Sequence, residues 1–191
     1  MKDKLTWEQI AETIQERTLK TTNLNVKNTK VLRAEILKCL TQAHDEGILV
    51  TKLHEIHPLL KLKKSENKGQ VWEILGGDKN FKRIKDQEKF GYFERNDQAW
   101  FDFAITIYQK SKDLAEIIGF DFEIRFPNDH SPKFIRFDLN LPSHNNEIKG
   151  LRFHLHPGND DIMLHSPPMS PLEILHLFLY GFKTSRKPRS S

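Results

Sequence analysis

The chain has 191 residues, 37% hydrophobic and 10% aromatic, which suits one large domain or two small ones with a packed core. One cysteine, Cys39, excludes an intramolecular disulfide framework and a cysteine-rich zinc site. No run approaches the roughly 20 apolar residues of a membrane span, and none at the N-terminus resembles a signal peptide, so the expected setting is cytoplasmic with no membrane partner.

Charge is +4 overall and unevenly placed. Residues 1–100 hold 19 Lys and Arg against 15 Asp and Glu, whereas residues 101–191 hold 11 of each. The excess lies mainly between Lys61 and Lys89, and a basic patch there points to an anionic partner.

The first half reads as helical. Thr6 to Lys20 carries Trp7, Ile10, Ala11 and Ile14 on one stripe, with Thr6 as N-cap. A second helix is expected from Thr29 to Glu46, with Leu32, Ile36, Cys39, Leu40 and Ala43 inward and Gly47 as its C-terminal glycine. Cys39 is thereby expected in the core. A third begins near Thr51, uses Leu53, Ile56 and Leu60, and is limited by Pro58. After the polar, basic connection KLKKSENKG, a fourth covers Lys68 to Leu75 and stops at Gly76-Gly77, and NFKRIKD is a short helical piece. FGYFERNDQAWFDF has the aromatic arms and the Asn96-Asp97 turn of a hairpin.

Between Thr29 and Phe103 the order of elements, through LVTKLHEIHPLL, GQVWEILGGDKNFKRI and EKFGYFER, resembles a winged helix, loosely the RNA-associated LOTUS type. The resemblance implies nucleic-acid contact, since phosphate contacts come from Lys and Arg. The cations available are Lys61, Lys63, Lys64, Lys68, Lys79, Lys82, Arg83 and Lys85. Solvation is the plainer use of such lysines.

AITIYQKSKDLAEII, Ala104 to Ile118, reads as a further helix with Ile105, Tyr108, Leu114 and Ile117 or Ile118 inward. Three alternating runs follow: FDFEIRF, KFIRFDLNLP and GLRFHLHPG. Successive strand side chains point to opposite faces. Phe122, Ile124, Phe126, Ile135, Phe137, Leu139, Leu141, Leu151, Phe153 and Leu155 therefore form one apolar floor. Glu123, Arg125, Arg136, Asp138, Asn140, Arg152, His154 and His156 lie on the other side. Ser170, Pro171 and Glu173 form a capping box ahead of an apolar helix, which should cover the floor and leave the polar face open. The tail KTSRKPRSS reads as disordered.

The fold expected is thus α+β: a helical, winged-helix-like module over 1–103, a small antiparallel sheet domain backed by helices over 104–183, and a basic tail over 184–191. The chemistry-bearing stretch is Arg152-Phe-His154-Leu-His156. Histidines at i and i+2 of a strand share a face about 6–7 Å apart. As general acid and base they need no metal, because histidine titrates near neutrality. Arg136 and Arg152 would then hold a phosphate, and Asp138 would orient one imidazole. As metal ligands they would need a carboxylate from Asp138, Asp160 or Asp161. The acid–base route assigns no metal and no cofactor, and a merely solvated sheet face stands against both.

At Asp138-Leu-Asn140, Lys149, the Arg-x-His-x-His strand, and Ser170-x-Leu-Glu ahead of Leu177-Phe178, the chain resembles small bacterial toxins of the TumE type. That family is more basic around its histidines and lacks an N-terminal helical half. The open sheet is similar in layout to RelE- and barnase-like ribonucleases. These resemblances imply a toxin or defence setting with nucleic acid, RNA before DNA, as target. The function expected is accordingly a nucleic-acid-acting protein of that type, in its enzymatic form a ribonuclease, with a cognate protein partner in a toxin–antitoxin setting. The alternative is a non-catalytic adaptor or antitoxin-like module that binds protein or RNA.

Overall fold

The computed structural model describes residues 24–65, 69–78, 91–127, 130–145, 151–166 and 168–184. Among them one antiparallel sheet of nine strands dominates: β1 (Leu24–Val26), β2 (Leu60–Lys64), β3 (Val71–Gly76), β4 (Phe93–Glu94), β5 (Trp100–Ser111), β6 (Leu114–Arg125), β7 (Phe134–Leu139), β8 (Phe153–His156) and β9 (Leu164–His165). The order is β2-β3-β5-β6-β7-β8-β9, with β1 paired to β6 and β4 to β5. Helices α1 (Thr29–Asp45), α2 (Leu53–Leu59) and α3 (Pro171–His176) accompany it, and α3 runs into a π-helical turn, Leu177–Gly181. None of these helices is long and apolar enough to cross a membrane.

This overturns the expected helical N-terminal part. The expected helix over Lys68–Leu75 is β3, and the polar connection before it supplies β2, the two pairing from Leu60↔Gly76 to Lys64↔Trp72. The expected helix over Ala104–Ile118 is instead the second half of β5, a turn and the first half of β6. Its β-branched residues explain the outcome. Ile105 and Ile107 on one arm, and Ala115 and Ile117 on the other, are buried at period two, while Leu114, which a helical stripe would bury, is exposed. The sheet is thus far larger than the small one expected, and β5 itself runs through residue 103. The expected Thr6–Lys20 helix and the short piece NFKRIKD lie outside the described residues.

Other elements form as local chemistry dictates. Asn28 caps α1 through its side chain, and Gly47 takes φ +71° just after the helix, where its N–H donates to His44 O at 2.9 Å. Pro58 sits in the last turn of α2. The Asn96-Asp97 hairpin pairs Phe93 with Phe101. Ser170 and Glu173 form the capping box that starts α3.

The core lies on one face of the sheet. Phe101 and Phe103 of β5, Phe122 and Ile124 of β6, Phe137 of β7 and Phe153 of β8 are all buried. Leu32, Ile36, Leu40 and Ala43 of α1 and Ile174, Leu175, Phe178 and Leu179 of the C-terminal helical segment belong to the same cluster. Phe178 is its hub, with ring centroids 5.7, 6.2 and 6.0 Å from Phe101, Phe122 and Phe137. Cys39, expected in the core, is only half-buried, with Sγ 3.4 Å from His176 Nε2. Because the helical elements sit on the phenylalanine side, the pleat turns Asp102, Asp121, Glu123, Arg136 and Asp138 to the other.

Candidate functional site

Two rows of residues cross the polar face at strand register. One runs Asp102, Glu123, Arg136, His156 over β5 to β8; the other runs Ala104, Asp121, Asp138, His154, His165 over β5 to β9. Period-two alternation puts both rows on one face, and antiparallel pairing brings adjacent members within side-chain reach.

At the β7–β8 end the rows converge. His154 Nε2 and His156 Nε2 are 3.0 Å apart. Asp138 Oδ2 lies 3.3 Å from His156 Nε2 and 3.6 Å from His154 Nε2. His154 Nδ1 donates to Leu151 O at 2.8 Å, which fixes its tautomer and leaves the Nε2 lone pair facing the other two groups. Asp138 Oδ1 and His156 Nδ1 are buried without hydrogen-bond partners. Burial holds the His154 imidazole below the ordinary histidine range, against the raising pull of Asp138; His156 and Arg136 lower it further.

The two arginines do not present themselves to a ligand phosphate. Arg136 Nε donates to Asp138 Oδ2 at 2.9 Å and Nη1 to Asp160 Oδ1 at 2.6 Å, with Glu123 Oε2 3.6 Å from Nη1. Burial alone would lower its pKa, but Asp138 and Asp160 outweigh that and raise it. Arg152 is buried and donates to Asn140 O at 3.0 Å and Ile118 O at 3.2 Å. It ties the β7–β8 connection to β6. The histidines, too, differ from an open face: they are 2% and 3% exposed.

Beside this centre a groove of about 590 Å³ runs over β5, β6 and β7. Asp102, Asp121, Glu123 and Asp138 line it against Arg125 and Arg136, so its floor is acidic. Asp102 belongs to this set although its run, WFDF, reads most simply as an aromatic hairpin arm; its alternation with Phe101 and Phe103 is the signal that places it. At one end Arg125 lies over the Trp100 ring at 5.3 Å and the Phe134 ring at 5.6 Å, and Tyr92 packs on Trp100 at 4.7 Å.

Asp138, His154, His156 and Arg136 are therefore brought together. The expected nucleic-acid lysines are not part of that centre. Lys61, Lys63 and Lys64 are on β2, at the far end of the strand order from β8. Lys61 pairs with Asp78 at 3.1 Å, and Lys64 lies over Trp72 at 5.8 Å. Lys68, Lys79, Lys82, Arg83 and Lys85 lie outside the described residues. Asp161 is exposed and its backbone N–H donates to Asn159 Oδ1.

The chain matches no family model, no curated protein and no solved structure.

Proposed function

We propose that the protein is a nucleic-acid-acting hydrolase of toxin or defence type, whose reactive centre is Asp138, His154 and His156. The observation that carries this reading is the convergence of three donor atoms within 3.6 Å at the edge of a groove. His154 turns its Nε2 lone pair toward that point, and burial favours its neutral form, so it can serve there as a base toward a nucleophilic water or hydroxyl or, alternatively, as a ligand. Two further features support a nucleic-acid substrate. The groove ends in an aromatic and guanidinium cluster, Trp100, Tyr92, Phe134 and Arg125, of the kind on which unpaired bases stack. The β2 edge carries Lys61, Lys63 and Lys64, which can track a phosphate backbone.

A second reading is favoured by one observation: the histidines are nearly inaccessible and Arg136 is already neutralised by carboxylates. On that reading the groove binds a partner and the triad only holds β7 to β8.

Cleavage of labelled single-stranded RNA and DNA by the purified protein separates the two. His154→Ala and Asp138→Asn should each lower the cleavage rate by about 10²–10⁴-fold with the fold retained by circular dichroism. Wild-type protein that binds RNA without cutting it, or folded variants of undiminished rate, would overturn the enzymatic reading in favour of the adaptor.

A further inference from the structure

The geometry points to a site for one divalent first-row transition ion, such as zinc or manganese, held by His154 Nε2, His156 Nε2 and the Asp138 carboxylate. The three donors meet the requirement for a common ion. Two ligands about 2.0–2.2 Å from one metal stand about 3.0–3.6 Å apart at tetrahedral to octahedral angles. The observed separations are 3.0, 3.3 and 3.6 Å. All three residues are at least nine-tenths buried, and each offers one donor atom within 4.8 Å of the others.

The protein alone leaves this arrangement unsatisfied. Only one N–H can lie between two Nε2 atoms, so the pair can share at most one hydrogen bond. Asp138 Oδ1 and His156 Nδ1 are buried with no partner. The His154 Nδ1 bond to Leu151 O is the carbonyl contact that commonly orients a ligating imidazole and exposes its other nitrogen. Charge points the same way. Among the described residues Asp138, Asp160 and Glu123 share the Arg136 guanidinium, and Arg125 also pairs with Glu123. A dication would offset the remaining negative charge.

Two imidazoles and one carboxylate suit zinc, manganese or iron rather than calcium or magnesium, which prefer all-oxygen shells. Three protein ligands leave room for a water, the pattern of catalytic rather than closed structural sites. The presence of the ion is independent of the hydrolase reading; only its use to activate that water rests on it.

The test is metal binding by the whole chain, with cleavage measured separately. Protein stripped with chelator is titrated with Zn²⁺ by calorimetry, and bound metal is counted by elemental analysis. One ion per chain is expected, with a rise in Tm. His154→Ala, His156→Ala and Asp138→Asn should each weaken binding at least tenfold, whereas His165→Ala and Asp161→Asn, neighbours outside the triad, should not. Should the histidine variants fail to fold, the wild-type Co²⁺ complex decides. An intense visible spectrum of a four- or five-coordinate ion supports the site, and the weak spectrum of the hydrated ion overturns it. Failure of wild-type protein to bind Zn²⁺, Mn²⁺ or Co²⁺ more tightly than about millimolar, or full binding by the folded triad variants, also overturns it. Ion bound without RNA cleavage leaves the site standing and removes the hydrolase, whereas undiminished cleavage by metal-free protein in chelator leaves the hydrolase standing and overturns the ion's part in activating its water.

Discussion

Asp97→Asn should destabilise the protein by about 2–3 kcal/mol. The side chain of Arg95 is 6% exposed, and it ties the hairpin after β4 to the end of the chain. Its Nη1 donates to Phe178 O and its Nη2 to Phe182 O at 2.7 Å, while Asp97 takes Nε at 3.1 Å and Nη2 at 2.7 Å. Removing one partner of a buried pair costs about 3–5 kcal/mol, because the other charge is left uncompensated. The lower figure applies here because Asp97 is 21% exposed and the amide oxygen still accepts one bond. With a urea m-value of about 2–3 kcal/mol/M, the midpoint should fall by about 1 M. The variant should also change the acid limb. Burial pushes the Asp97 carboxyl up, but the Thr184 hydroxyl, the Arg95 guanidinium and the Ala99 amide outweigh it and hold the pKa below the ordinary aspartate value. Such a carboxylate contributes stability that is fully present above its unfolded-state pKa, about 3.9, and is lost as pH falls through the lower folded-state value. Urea melts from pH 7 down to the acid limit should therefore show a shallower loss for Asp97→Asn than for wild type. Equal midpoints and equal acid slopes would refute the clamp.

Two further outcomes follow from packing and from the basic edge. Phe178→Ala, at the hub of the floor and fully buried, should cost about 3–5 kcal/mol by thermal or urea unfolding. Reversing Lys61, Lys63 and Lys64 to Glu should weaken RNA binding, measured by anisotropy across a salt series, and reduce the salt slope by about 0.7 for each phosphate no longer neutralised; unchanged affinity and slope would remove β2 from the interface.

How far the fold could be read from sequence depended on whether local signals agreed. Helix α1 had a stripe and a C-terminal glycine, and the capping box of α3 marks its own first turn; both form as expected. Strands β7 and β8 alternate too strictly to be anything else. The Ala104–Ile118 stretch failed because Ile105, Tyr108 and Ile117 fit a helical stripe while Ile105, Ile107, Ala115 and Ile117 fit strands, and over short apolar runs periodicity cannot choose. Long-range pairing chose: β5 and β6 bond each other along most of their length, from Trp100↔Arg125 to Ser111↔Leu114. The fourth expected helix failed similarly. VWEIL has no cap, and its partner LKLKK reads as a solvated linker until β3 is beside it. Gly76 fits the strand reading better, since a Cβ there would lie 2.2 Å from the Phe103 ring across the pair.

The same distinction applies at the site, where it decides what chemistry remains. Alternation correctly assigns Asp138, His154 and His156 to one face, because that requires only the pleat. It says nothing of neighbours across strands. Register sets Arg136 between Glu123 and His156, with Asp138 two residues on, and so turns an apparent phosphate clamp into a guanidinium held by carboxylates. Arg152 is removed from the ligand by a different cause: it precedes β8 and spends its N–H groups on carbonyls of the β7–β8 connection and of β6. Both arginines are thus engaged with the protein's own acceptors rather than presented to the developing phosphate charge, as the acid–base route required of them. A dication bound by the same three residues would supply that positive charge and activate a water in one step. The acidic groove floor, an obstacle to a polyanion approaching bare protein, is then the electrostatic setting such an ion needs. If the protein is the hydrolase proposed above, metal-assisted hydrolysis accounts for the buried triad and the carboxylate-rich groove together.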